Sequence, residues 1–149
     1  MGAYQAIVVG TDGSDSSLRA IDRAAGLAHD AGAKLVIVCA YRPTDPADTV
    51  ADRDALGSEG YQLVGSAPAE DILRRAEGRA ARAGASSIDS VSVDGSPVQA
   101  ILQAAKDSSA DLIVVGNRGL NRLGGRLLGS VPSDVARRAD IDVLIVHTT

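Results

Sequence analysis

The amino-acid sequence predicts a doubly wound α/β fold, a parallel sheet with helices on both faces. Three observations carry this. Four short segments are apolar without interruption, helical stripes lie between them, and capping residues and glycines mark the joints. Continuous rather than alternating apolarity means burial on both faces, the condition of a strand inside a covered parallel sheet.

The four runs are Ala6-Ile7-Val8-Val9, Leu35-Val36-Ile37-Val38-Cys39, Leu112-Ile113-Val114-Val115 and Val143-Leu144-Ile145-Val146. A fifth segment, Ile88-Asp89-Ser90-Val91-Ser92-Val93, is more polar, with Val91 and Val93 on one face, and reads as an edge strand that is partly wet. Between the runs, Leu18, Ile21, Ala25 and Ala28 recur at helical spacing, as do Ile72, Ala76, Ala80 and Ala83. Val98, Ile101, Leu102 and Ala105 form a third stripe, and Val131, Val135 and Ala139 a short fourth. Ser14, Ser66, Ser96 and Ser130 are placed to cap helix N-termini, with Pro68, Pro97 and Pro132 in first turns. Gly32 and Gly84 follow the first two helices as left-handed C-terminal caps. The order is β-α-β-α-β-α-β-α-β, one domain over residues 1–149.

One stretch departs from this regularity. Residues 41–65 make a connection several times the usual length of about 2–6 residues. It holds Pro43, Pro46, Gly57, Gly60 and five acids, and it leaves the carboxyl end of the second strand, where ligands bind in such sheets. It reads as a lid-like connection.

Composition narrows the function. With 149 residues, 45% hydrophobic and 23% charged, the chain has the balance of an ordinary globular domain. No apolar run approaches the roughly 18 residues of a membrane span, and no signal-peptide pattern opens the chain, so a cytoplasmic location is expected. A net charge of −4 argues against duplex nucleic acid or an anionic membrane as the main partner. Aromatic residues are 2%, with no Trp or Phe, which removes the stacking platforms of single-strand binders. The single cysteine, Cys39, excludes an internal disulfide and sits inside an apolar run as a core residue. His29 reads as a surface residue, and His147 has no second histidine or cysteine near it in sequence, so no metal site is expected.

In an open parallel sheet the ligand crevice lies beyond the strands' carboxyl ends, where the strand order reverses. Two loops would meet there if the first and fourth strands flank that point: Gly10-Thr11-Asp12-Gly13-Ser14 and Gly116-Asn117-Arg118-Gly119. The second continues to Gly129-Ser130, giving a G-x2-G-x9-G-S pattern. Glycines allow backbone N–H groups to approach a phosphate, and a helix opening at Ser130 offers unpaired amides. Arg118, Arg122 and Arg126 add positive charge to the same stretch, although three arginines also suit a solvated face. Asp12, likewise, is equally suited to bracing its own turn through an Asx hydrogen bond.

The glycine pattern, the Ile7-Val8-Val9-Gly10-Thr11-Asp12-Gly13-Ser14 opening, the Ala110-Asp111-Leu112-Ile113-Val114-Val115-Gly116 segment and the closing Val143-Leu144-Ile145-Val146 strand together resemble the universal stress protein family, in its nucleotide-binding branch. The resemblance covers essentially the whole chain. It implies a five-stranded parallel sheet of order 3-2-1-4-5, a homodimer, and a site for ATP, AMP or cyclic AMP. In that order the last strand is an edge, and Val143-Leu144-Ile145-Val146, apolar with no lysine or proline, is where the dimer is expected to pair. The nucleotide site would draw on Gly10, Thr11 and Asp12, on Ala40, on Val115, Gly116, Arg118 and Gly119, and on Gly129, Ser130, Val131 and Ser133. Asp12 and the backbone near Ala40 would meet the nucleoside, and Gly116, Gly119, Gly129 and Ser130 the ribose and phosphates. Arg118 stands where family members vary, so its place rests on charge and position alone. With no second carboxylate evident opposite Asp12, magnesium is not required. The implied role is a sensor or reservoir in a stress response rather than a catalyst. The alternatives are a nucleotide-free protein–protein adaptor and a slow ATPase.

Rival motifs fail on particular residues. Gly124-x4-Gly129-Ser130 lacks the lysine of a Walker A loop and does not directly follow a strand, and no G-x-G-x-x-G follows the first strand. A response regulator would use Asp12 and Asp94, but the last strand runs into His147-Thr148-Thr149 without a lysine or a final helix. An ATP pyrophosphatase loop is approximated by Gly13-Ser14-Asp15-Ser16, but Asp12 occupies a glycine's place and would repel a pyrophosphate.

Overall fold

The side chains of the strand Ala6–Gly10 (β1) alternate between two separate cores. Ile7 and Val9 enter one, Ala6 and Val8 the other, and Ile7, Val8 and Val9 have no exposed surface. Burying a side chain of this size contributes about 1.5–3 kcal/mol, so a strand apolar at every position is stable only with cover on both sides. The computed structural model describes residues 2–42, 66–118 and 128–148.

After β1 come the helix Asp15–Ala31 (α1), the strand Lys34–Tyr41 (β2), the helix Ser66–Arg82 (α2), the strand Ile88–Asp94 (β3), the helix Pro97–Asp107 (α3), the strand Leu112–Gly116 (β4), the helix Ser130–Arg138 (α4) and the strand Asp142–Val146 (β5). The strands form one parallel sheet in the order β3-β2-β1-β4-β5. Helices α1 and α2 cover one face with Ile21, Ala25, Ala28, Ile72, Ala76 and Ala80. Helices α3 and α4 cover the other with Val98, Ile101, Ala105 and Val135. Small alanines let the helices lie close to the sheet. An Asp22–Arg79 pair, bidentate at 2.7 and 2.8 Å, joins α1 to α2. At the amino ends of β1 and β4 the Asp111 carboxylate accepts from the backbone N–H groups of Gln5 and Ala6, which fixes the two central strands against each other.

The expected order, three of the four covered runs and the edge position of Ile88–Asp94 are observed, and Val91 on that edge strand is 37% exposed. The fourth run is not fully covered: it forms the other edge, where Val143, Leu144 and Ile145 are half-buried because a neighbouring strand flanks only one side. Ser14 and Ser96 cap α1 and α3 by accepting from the N–H groups of Ser17 and Gln99, and Gly32 closes α1 in the left-handed conformation, φ 66°. Two expectations are corrected. Ser130 does not cap α4: Gly129 holds the cap position with φ −62° and ψ 164°, and no side chain caps the helix. Tyr41 does not begin the long connection: it is the last residue of β2, paired with Asp94 of β3. The remainder of the lid-like connection, residues 43–65, lies outside the described residues.

Cys39 sits within the core shared by α1 and α2, with no exposed surface. Burial first, and the nearby Asp12 carboxylate second, push its thiol up from an ordinary 9.0 to about 12. An acid whose folded value is raised binds its proton more firmly folded than unfolded. Its contribution is complete below pH 9 and is lost as pH rises toward about 12. The stability difference between the wild-type protein and Cys39→Ala is therefore expected to stay constant up to about pH 8 and to shrink above pH 9. Urea unfolding at pH 7, 9, 10 and 11 measures it, and a pH-independent difference would contradict the assignment.

Candidate functional site

The carboxyl ends of β1 and β4 lie side by side at the point where the strand order reverses. From β1 the chain turns through Thr11–Ser14 into α1, and the turn is closed by its own side chains. Thr11 is buried, its N–H donates to the Val38 carbonyl of β2 at 2.9 Å, and its hydroxyl pairs with that of Ser17 at 2.8 Å. The same hydroxyl accepts from the Gly13 N–H at 3.0 Å, with Gly13 at φ 85°, a conformation that glycine adopts without strain. Asp12 is exposed, and its Oδ1 accepts from the Ser14 N–H at 2.9 Å, an Asx turn that leads into the helix. Asp12 thus braces the turn, as one of its two readings has it, and its charge stands near Cys39 of β2.

Glycine at the strand ends serves close approach by the protein itself. A Cβ on Gly10 would stand 2.7 Å from the Ile101 Cδ1 of α3, and one on Gly116 would meet Thr148 Cγ2 at 3.3 Å and Ser16 Oγ at 3.5 Å. The space a side chain would take at these positions is filled by α3 on one side and by α1 and Thr148 on the other. Val115 is buried in the core under α3 and α4, so it offers any ligand only its backbone.

Asn117, immediately after β4, is the node of the second loop. Its N–H donates to the Val146 carbonyl of β5 at 2.8 Å, and its own carbonyl accepts from the Gly129 N–H at 3.1 Å. The two ends of the stretch 117–129 are thereby joined. Its side-chain Oδ1 accepts from both the N–H and the hydroxyl of Thr148, at 2.9 and 3.0 Å, and its Nδ2 lies 3.4 Å from His147 Nδ1. The Thr148 hydroxyl also pairs with that of Ser16 in α1. The N-terminus of α1 and that of α4 are therefore linked through one chain of contacts, Ser16–Thr148–Asn117–Gly129.

Helix α4 opens with four N–H positions that lack intrahelical acceptors. Gly129 spends its N–H on Asn117, and Pro132 has none, which leaves the amides of Ser130 and Val131. Ser130 is exposed, Val131 and Ser133 are half-buried, and the Ser133 N–H bonds to the Gly129 carbonyl. The positive end of the helix and these two amides suit an anion. Of the remaining expected site residues, Arg118 is exposed after Asn117, and Ala40 is half-buried near the end of β2. Gly119, Gly124, Gly125, Arg122 and Arg126 lie outside the described residues. Asn117, Thr148 and Ser16 were missed in sequence, because polar residues at three distant positions carry no pattern until β4, β5 and α1 are adjacent. Among the described residues no cluster of three His, Cys, Asp or Glu side chains could hold a metal ion, and no helix is long and apolar enough to cross a membrane.

Comparison with known proteins agrees with this architecture. The model of the universal stress protein family matches residues 3–147. A universal stress protein of Mycobacterium tuberculosis (strain H37Rv) is 52% identical over 149 residues, which cover all of both chains. The crystal structure of a universal stress protein in complex with cAMP is 49% identical, covers 99% of this chain and 100% of that one, and superposes with a TM-score of 0.77. The universal stress protein from Archaeoglobus fulgidus in complex with dAMP, 24% identical, shares the fold, with a TM-score of 0.69 over 95% of this chain and 97% of that one. On the family match and the relative identical at half its positions, the chain belongs to the universal stress protein family.

Proposed function

We propose that this protein binds an adenine nucleotide (cyclic AMP, AMP or ATP) at the crevice between β1 and β4, and acts in the cytoplasm as a sensor or reservoir in a stress response. The observation that carries this is the linkage of two helix N-termini at the sheet's reversal point, with two α4 amides facing no intrahelical acceptor. The complex of a 49% identical relative with cAMP supports the ligand class. Phosphate would meet the amides of Ser130 and Val131 beside Gly116, Gly119 and Gly129, with Arg118, Arg122 and Arg126 as candidate counter-charges. The nucleoside would lie toward Asp12, Gly10, Thr11 and Ala40. On this reading magnesium is not required, and among the described residues no group of three His, Cys, Asp or Glu side chains could hold a metal ion.

Titration calorimetry with purified, nucleotide-stripped protein tests the reading. AMP and cyclic AMP are expected to bind within about tenfold of ATP, a gap of roughly 1.4 kcal/mol, with little change on adding EDTA. An ATP preference of about a hundredfold that collapses on chelation would show a metal in the site. Gly129→Asp should abolish binding while the circular dichroism is unchanged. A φ of −62° at the cap position is open to aspartate, whose carboxylate would then occupy the α4 amides. Gly119→Asp is also expected to abolish binding, because a carboxylate adds repulsion and bulk where backbone should face phosphate.

Asp12 has two roles to separate. Asp12→Asn keeps an oxygen for the Ser14 N–H and removes the charge, so the melting temperature should hold while nucleotide affinity changes. Asp12→Ala removes the Asx bond as well and should cost about 0.5–2 kcal/mol of stability, by analogy with the loss of a helix cap. Equal affinity in wild type and Asp12→Asn would confine Asp12 to the turn.

A homodimer through β5 is the second part of the proposal. This strand lies at the sheet edge, and Val143, Leu144 and Ile145 are only half-buried. An apolar edge with no lysine or proline invites strand pairing, and a two-fold related copy would close it. Sedimentation at micromolar concentration should give a dimer, and a monomer there would overturn this part.

A further inference from the structure

We propose that Thr148 is a positioning residue for the nucleotide site, holding Asn117, and through it both ends of the stretch 117–129, against α1. The proposal rests on the nucleotide-binding reading above and extends it to a residue that is not itself among the expected ligand contacts.

Thr148 is only 3% exposed, although it carries a hydroxyl and lies beyond the end of β5. Every polar group it has is engaged. Its N–H and its hydroxyl both donate to Asn117 Oδ1, and its carbonyl accepts from the Arg19 guanidinium. The hydroxyl has one proton, and Asn117 Oδ1 can only accept, so in the Ser16–Thr148 pair the proton comes from Ser16. The direction of each bond is thereby fixed: Ser16 to Thr148, Thr148 to Asn117. Its methyl group fills the space above Gly116, at 3.3 Å from where a Cβ would stand. Asn117 in turn holds Gly129 through its backbone carbonyl. The amides of Ser130 and Val131 follow directly on Gly129, so their aim depends on this linkage.

Replacing the hydroxyl by a methyl group keeps the shape and the N–H bond to Asn117. It removes one of the two bonds to Oδ1, and it leaves Ser16 without its acceptor. With one of its bonds to Thr148 lost, the half-buried Asn117 side chain is held less firmly, and Asn117 and Gly129 gain freedom to move relative to α1. The phosphate end should suffer, because contacts to a phosphate demand well-placed amides, whereas a nucleoside lying toward β1 and β2 should not.

The test compares AMP with adenosine by titration calorimetry, in wild type, Thr148→Val and Thr148→Ser. Thr148→Val is expected to lower AMP affinity about tenfold with adenosine affinity unchanged, and Thr148→Ser to restore it. Ser16→Ala, which cuts the same link from the α1 side, should produce the same split and serves if Thr148→Val folds poorly. A residue that merely stabilised the fold would lower the melting temperature and leave the ratio of AMP to adenosine affinity alone. A second measurement needs no ligand: amide exchange at Gly129 should rise about tenfold in Thr148→Val while that of Val8 in β1 stays unchanged. An unchanged affinity ratio in both variants, or unchanged exchange at Gly129, would overturn the proposal while leaving nucleotide binding intact. Wild-type protein that binds no adenine nucleotide would overturn the nucleotide reading itself, and with it this proposal.

Discussion

Two-sided burial of β1 is the constraint from which the rest follows. A strand apolar at every position must have helices above and below it, and parallel neighbours on both edges. The chain can supply parallel neighbours only through crossover connections. It fills one edge with β2 and then β3, and returns to the other edge with β4 and β5. The loops leaving β1 and β4 therefore depart to opposite faces, and a crevice opens between them. The site is a by-product of the topology, placed before any polar residue has been chosen.

The polar residues then determine what the crevice can hold. On the β1 side the hydroxyls of Thr11 and Ser17, the Ser14 cap and the Asp12 Oδ1 satisfy one another and the first turn of α1. Little of that donor capacity is left for a ligand, so the turn acts as a rigid wall carrying one negative charge. On the β4 side the backbone is tied at Asn117 and Gly129, and the free donors are concentrated in the first turn of α4. The two walls differ in charge preference, negative beside β1 and anion-seeking at α4. An amphoteric ligand with a neutral or donor-rich end and a phosphate end fits that polarity.

Most of the architecture was legible because it depends on periodicity. Continuous apolarity in Ile7-Val8-Val9 and Ile113-Val114-Val115 signals burial on both faces, and the stripes through Ile21 and Ile101 signal the covering helices. Local chemistry was legible where a motif is confined to neighbours in sequence, as at Ser14, Ser96 and Gly32. It failed at Ser130, because a glycine cap leaves no side-chain signature and the preferred cap residue stands one position later. Gly116 reads in sequence as room for a phosphate, whereas the space in which its Cβ would stand is occupied by Thr148 and Ser16, and that of Gly10 by Ile101. Only the packing of α1 and α3 against the strand ends reveals that. The Ser16–Thr148–Asn117 chain was invisible for the same reason, since its two links span 132 and 31 positions.

The arrangement at α4 also limits how sharply the site can discriminate. Gly129 has given its amide to Asn117 and Pro132 contributes none, so the helix presents two amides where an open N-terminus would present more. Two backbone donors and a helix dipole suffice to hold one phosphate group, a contribution on the order of a few kcal/mol. On the proposed reading, further phosphates would have to be met by arginines or by solvent. Charge alone discriminates weakly between a cyclic phosphate, a monophosphate and the terminal group of a triphosphate, because each presents an oxygen-rich anionic face to the same two amides. Selectivity among adenine nucleotides is then, on the same reading, a property of shape beyond the first phosphate rather than of the helix end that anchors the ligand.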